Sequence, residues 1–153
     1  MIYIGFNRYS LTMCAYGRRP ALASPPCFEV IRKQLLQSAA HHTFSVLAYC
    51  AMPDHLHLLV EAERDTSDLR VFVWDFKRRA GFAFKRTTGT PLWQEGFYDR
   101  VLRNDESSRI VARYLLENPV RAGLARHPLE WPFLGSERYD LRTLLEGVGD
   151  TRV

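Results

Sequence analysis

Several features are scarce or missing in this chain of 153 residues, and each absence removes a class of protein. Cysteine is sparse. Cys14, Cys27 and Cys50 are odd in number, widely spaced and form no Cys-x-x-Cys pair, which suits reduced thiols and not a disulfide framework. Long hydrophobic runs are missing: nothing approaches the roughly 20 apolar residues that span a bilayer, so no membrane association is expected. Residues 1–5 (MIYIG) lack the basic start and long apolar stretch of a signal peptide, and a cytoplasmic protein is expected. Repeats, low-complexity tracts and an interdomain linker are absent. The expectation is one domain over 1–153, with its core at about 9–136 and a tail at 137–153. A strong charge is lacking too. The net +4 and pI of about 9.1 favour a polyanionic partner without demanding one.

What is present is ample apolar material, at 46% of residues, which argues against disorder. A chain of this size buries roughly 70% of its unfolded surface without staples. Residues 9–16 (YSLTMCAY) alternate as a first strand. Gly17-Arg18-Arg19-Pro20 and Ser24-Pro25-Pro26 mark a loop, and 28–40 carries Phe28, Ile31 and Leu35 at helical spacing. Residues 44–51 and 56–61 read as two strands joined by a turn at Pro53-Asp54. From Leu69, the residues Phe72, Val73, Phe76 and Ala80 form one apolar stripe of a helix. Residues 97–102 read as a fourth strand. Asn104 or Asp105 is expected to cap a last helix running to about Glu117, before Pro119. The order β-α-β-β-α-β-α predicts an α+β fold, an antiparallel sheet with helices packed on one face. In the stretch from Arg126 to Val153, only Trp131-Pro132-Phe133 is expected to pack.

Three groups of residues can carry chemistry. His55 and His57 alternate on a strand, so both imidazoles share a face, while Leu56, Leu58 and Val60 face the core. Such a pair suits two ligands on one metal, or simply a solvated strand face. A histidine-triad hydrolase would need a third histidine where Leu59 stands, and the HxHxDH metallohydrolase pattern fails at the same place. Tyr114 and Asn118 lie one helical turn apart. A phenol can attack phosphorus and an amide oxygen can complete a hard-metal shell. The ordinary alternative is an apolar stripe of Ile110, Val111, Tyr114 and Leu115, ended by Asn-Pro. Finally, Lys77, Arg78, Arg79, Lys85 and Arg86, near Trp74, Phe82 and Trp93, could hold a single strand through phosphates and stacking, or merely solvate a helix.

These signals meet in a resemblance. Residues 50–60 (CAMPDHLHLLV) look like the histidine–hydrophobic–histidine (HUH) motif of single-tyrosine transposases. Residues 92–100 (LWQEGFYDR) resemble the segment before their catalytic helix, and 114–124 (YLLENPVRAGL) resemble their tyrosine motif. Order and spacing are similar to the branch associated with repetitive extragenic palindromes, the REP-associated tyrosine transposases, over about 9–136. The resemblance implies a ferredoxin-like HUH nuclease fold. It also implies a Mg²⁺ or Mn²⁺ site at His55, His57 and Asn118, and Tyr114 as the nucleophile that forms a 5′-phosphotyrosine bond. The implied partner is single-stranded or hairpin DNA, with palindromic repeats as one form of it. The implied protein is nucleoid-associated and either monomeric or homodimeric. Arg113 and Arg121 flank the tyrosine motif as expected phosphate contacts. Two other readings stay open: a non-catalytic nucleic-acid-binding module on the same fold, and a metal-dependent phosphohydrolase that uses water.

Overall fold

The computed structural model describes residues 3–146; the expectations placed on 1–2 and 147–153 lie outside the described residues. Five strands form one antiparallel sheet: β1 (Arg8–Cys14), β2 (Phe44–Ala51), β3 (His55–Ala62), β4 (Tyr98–Val101) and β5 (Leu134–Gly135). Their order is β4-β1-β3-β2-β5. The first four strands, with α1 (Pro25–His41) after β1 and α2 (Leu69–Thr88) after β3, give the ferredoxin-like α+β arrangement expected from the sequence.

Strand alternation sends side chains to two faces. Leu11 pairs with Leu58 and Met13 with Leu56, so these project together with Tyr9 and Val60. They meet Ile31, Leu35, Phe72, Phe76 and Ala80 from α1 and α2 in the larger core. The stripe read on α2 is the buried one. Asp68 starts that helix by accepting from the Arg70 N–H at 3.0 Å, and Gly89, at φ 74, ends it in the left-handed conformation that glycine allows.

The opposite face is also covered, and here the expectation of helices on one face needs correction. α3 (Ser108–Leu116) does not join α1 and α2. Its Ala112, Leu115 and Leu116 pack on Leu47, Cys50 and Leu59 from the other side of the sheet. Its cap is Ser107, which accepts from the Ile110 N–H at 3.3 Å, and not Asn104 or Asp105. Those two residues sit in a turn closed by the Glu106 N–H on the Arg103 carbonyl. Arg8 on β1 pins this turn, donating to the carbonyls of Glu106 and Arg103, both at 2.6 Å, and to Ser108 Oγ at 2.8 Å.

The stretch after Arg126 contributes more than the packing of Trp131 and Phe133. β5 pairs with the edge of β2, and Trp131 Nε1 donates to the Ala51 carbonyl at 2.9 Å. Gly135 is required there, because a Cβ would collide with the Tyr49 phenol. Leu144, on the short α5 (Leu141–Leu144), and Leu145 are buried in the α3-side core. No helix among the described residues is long and apolar enough to cross a membrane.

Candidate metal and nucleophile site

β3 alternation puts His55 and His57 on the α3 side of the sheet, with Leu56, Leu58 and Val60 buried behind them as expected. The two Nε2 atoms converge to 3.0 Å with the rings at 89°. Each Nδ1 has an oxygen neighbour: Asp54 Oδ1 at 2.7 Å from His55 and Thr12 Oγ1 at 3.2 Å from His57. Burial, then the charges of His55 and Arg121, holds the His57 pKa down to about 4, so its ring is neutral at pH 7. Burial alone would raise Asp54, but hydrogen bonds from His55 and Arg18 bring its carboxyl below the ordinary value.

This donor set fits a divalent ion. Two ligands about 2.1 Å from one centre and at right angles lie roughly 3.0 Å apart, and imidazoles with their far nitrogens held are oriented to coordinate. Among the described residues, no third His, Cys, Asp or Glu groups with them. An amide, water or DNA oxygen must therefore complete a shell. Asn118, which opens the short α4 (Asn118–Arg121), has the amide but uses it internally. Its Nδ2 donates to the Leu115 carbonyl at 2.8 Å, and its Oδ1 accepts from Arg121 Nη2 at 3.0 Å.

Tyr114 does not belong to the buried stripe of α3. It is 63% exposed and Ile110 is 71% exposed, whereas Ala112, Leu115 and Leu116 are buried. The stripe of Ile110, Val111, Tyr114 and Leu115 is therefore split, because the helix turns its 112–116 side to the sheet. Packing does not account for Tyr114. The Arg121 guanidinium lies 3.8 Å over its ring, and Arg121 Nη2 also donates to the Tyr114 carbonyl at 2.8 Å. Arg113 is half-buried on the same helix. Arg121 is thus the group that touches both Tyr114 and Asn118, and its charge bears on His57.

The basic helix divides into two sets. Lys77 Nζ donates to the carbonyls of Gln94 at 2.9 Å and Gly96 at 2.6 Å, and Arg78 and Arg79 both pair with the buried Asp75. Lys85 and Arg86 are exposed near the helix end, with Arg86 over the exposed Phe82. Trp74 is exposed under Arg78, and Trp93 packs on Phe76. Lys77 holds the 94–96 segment in place. That segment lines a cavity of about 210 Å³ together with Thr12, Cys14 and Tyr98. Tyr98 pairs with Thr12, and Thr12 with His57, so all three share one row on the same face.

Sequence reasoning misses Thr12 and the bond of Asp54 to His55. Asp54 is visible as the neighbour of His55, yet beside Pro53 it reads only as part of a turn. Thr12 carries no local signal, since strand register alone brings it to His57.

A ferredoxin-like sheet with two converging imidazoles, under a helix that displays a tyrosine, defines the HUH class of fold. The chain belongs to the family described as transposase IS200 like, whose model matches residues 7–118. A REP-associated tyrosine transposase of Escherichia coli is 23% identical over 151 residues, covering 97% of this chain and 88% of that protein. The solved structure of a REP-associated tyrosine transposase bound to a REP hairpin superposes with a TM-score of 0.77 at 22% identity. That match covers 93% of this chain and 84% of the other, and it establishes the shared fold.

Proposed function

We propose that this transposase-family protein cuts and rejoins single-stranded DNA through a 5′-phosphotyrosine bond on Tyr114. The observation that carries the reading is the convergence of His55 and His57 Nε2 on the sheet face covered by the helix that exposes Tyr114. The Tyr114 oxygen attacks the scissile phosphorus, the bond to the 3′ oxygen breaks, and the phenol proton ends on the released 3′-hydroxyl. A second 3′-hydroxyl reverses the step on new ends, so bond energy is conserved and no nucleotide cofactor is needed. A Mg²⁺ or Mn²⁺ ion held by His55 and His57, with Asn118 as third ligand, would supply charge neutralisation at the phosphate. Arg121 and Arg113 steady the phosphate beside the phenol, and Arg121 releases Asn118 Oδ1 when it turns to do so. The cationic charge of Arg121 over the phenol ring assists its attack.

The proposed partner is a hairpin with single-stranded flanks; the structural relative is itself bound to a REP hairpin. Lys85 and Arg86 contact phosphates, and the exposed Trp74 and Phe82 offer stacking surfaces. Such a protein works at the nucleoid in the cytoplasm. Tyr98 is the rival nucleophile, because it is exposed in the same cross-strand row as His57.

The test incubates labelled single-stranded DNA with the protein and Mn²⁺ and reads a denaturing gel. A protein–DNA adduct is expected. Cleavage without an adduct means that water is the nucleophile, and binding without cleavage means a non-catalytic module.

A further inference from the structure

Behind the histidines lies a row of side chains that phosphoryl transfer itself does not use. Arg18, on the short turn Tyr16–Arg18, holds Asp54 Oδ2 through Nε at 3.1 Å and Nη2 at 2.9 Å. The other carboxylate oxygen of Asp54 lies 2.7 Å from His55 Nδ1. The backbone fixes the same corner. The Ala15 N–H donates to the Asp54 carbonyl at 2.9 Å, the Leu22 N–H to Pro53 at 3.0 Å, and the Met52 N–H to His55 at 2.8 Å. Arg18 itself sits at φ 53, a conformation uncommon for a residue with a side chain, and from there its fork reaches Asp54.

We propose that Asp54, braced by Arg18, is a positioning residue that sets His55 as the pre-formed ligand of the pair. The proposal rests on the metal reading of His55 and His57 given above. An ionised carboxylate only accepts hydrogen bonds, so the facing Nδ1 must carry a proton. In the neutral ring that leaves the Nε2 lone pair free, and Nε2 is the atom aimed at His57. The carboxylate also locks the ring plane. His57 is treated differently. Its Nδ1 neighbour is the Thr12 hydroxyl, which can donate or accept, so Thr12 steadies the ring without dictating its tautomer. One histidine is therefore fixed in advance and the other adapts.

The test uses the full chain with ¹⁵N-labelled histidine. In the metal-free protein, long-range ¹H–¹⁵N spectra report which ring nitrogen carries the proton, and Mn²⁺ affinity is measured by calorimetry. Wild type should show His55 protonated at Nδ1. Asp54→Ala should lose that signature and bind Mn²⁺ about 10- to 100-fold more weakly, the usual cost of removing such a partner. Arg18→Ala should move both readouts in the same direction by less. Asp54→Asn preserves the side-chain shape without the charge, and it replaces the alanine variant in both measurements if that variant does not fold. An unchanged His55 tautomer, or Mn²⁺ affinity within about twofold of wild type, overturns the proposal. If wild type takes up no Mn²⁺, the metal reading of the pair falls. The hold of Asp54 on His55 is then judged by the tautomer alone, where its loss in Asp54→Ala supports the positioning role and its persistence overturns it.

Discussion

The guanidinium of Arg121 lies 3.8 Å above the ring of Tyr114 while its Nη2 donates to Asn118 Oδ1 at 3.0 Å. One side chain thus couples the proposed nucleophile to the proposed third ligand. A cation over an exposed ring contributes only about 0.5–1 kcal/mol, so Arg121→Ala should change stability little. Losing a charge beside the reacting phosphate should slow covalent attachment to DNA by about 100-fold. Arg121→Lys should recover only part of this, because an ammonium lacks the planar fork. Wild-type attachment by the alanine variant would remove Arg121 from the mechanism.

His55→Ala/His57→Ala should abolish Mn²⁺ binding in calorimetry while circular dichroism shows an intact fold, since the rings project off the face opposite the larger core. Asn118→Ala should weaken Mn²⁺ binding less, because the histidine pair remains. If the double variant binds Mn²⁺ as wild type does, the pair is not the site.

Asp75 allows a pH prediction away from the site. It is buried, and burial alone would raise it. His42, Arg79 and Arg78 outweigh that and hold its carboxyl down to about 2. A carboxyl with a depressed folded pKa adds stability that is complete above its unfolded value, near 3.9, and lost as pH falls through the folded one. Asp75→Asn should therefore cost about 2–3 kcal/mol at pH 7 and roughly half of that at pH 3. Urea melts at the two pH values check this, and a gap that does not shrink at pH 3 would contradict it.

The division of the basic helix predicts two kinds of variant. Reversing Lys85 and Arg86 to glutamate should weaken single-strand binding across sequences and flatten its salt dependence by about 0.7 log units per lost phosphate contact, with melting unchanged. Reversing Arg79 should also lower the melting temperature, because Asp75 would lose a partner and gain a like charge. Equal melting losses for both sets would mean that the division is wrong.

The elements legible in the sequence are those whose pattern is local. The α2 stripe and the alternation of β3 are read directly, because the same residues that set the period are the ones buried. The resemblance supplies the pairing of the histidines with a distant tyrosine. Contacts made at long range stay hidden. The face that α3 covers depends on Leu47, Cys50 and Leu59, so spacing cannot separate Tyr114 from the packed side of its helix. β5 depends on the approach of Tyr49 to Gly135, and Thr12 meets His57 only through strand register. Arg78 and Arg79 read as free positive charge because Asp75, their partner one turn back, looks like any other polar residue.

The most direct measurement traps the protein on a labelled single strand with Mn²⁺, digests the complex and locates the phosphate by mass spectrometry. Both candidate phenols are exposed, Tyr114 on α3 and Tyr98 on β4. The predicted result is a 5′-phosphate on the peptide containing Tyr114. Tyr114→Phe should form no adduct while keeping metal and DNA binding and losing no more than about 1 kcal/mol of stability. Tyr98→Phe should form the adduct as wild type does. A phosphate on the Tyr98 peptide, or cleavage at the wild-type rate by Tyr114→Phe, would contradict the account.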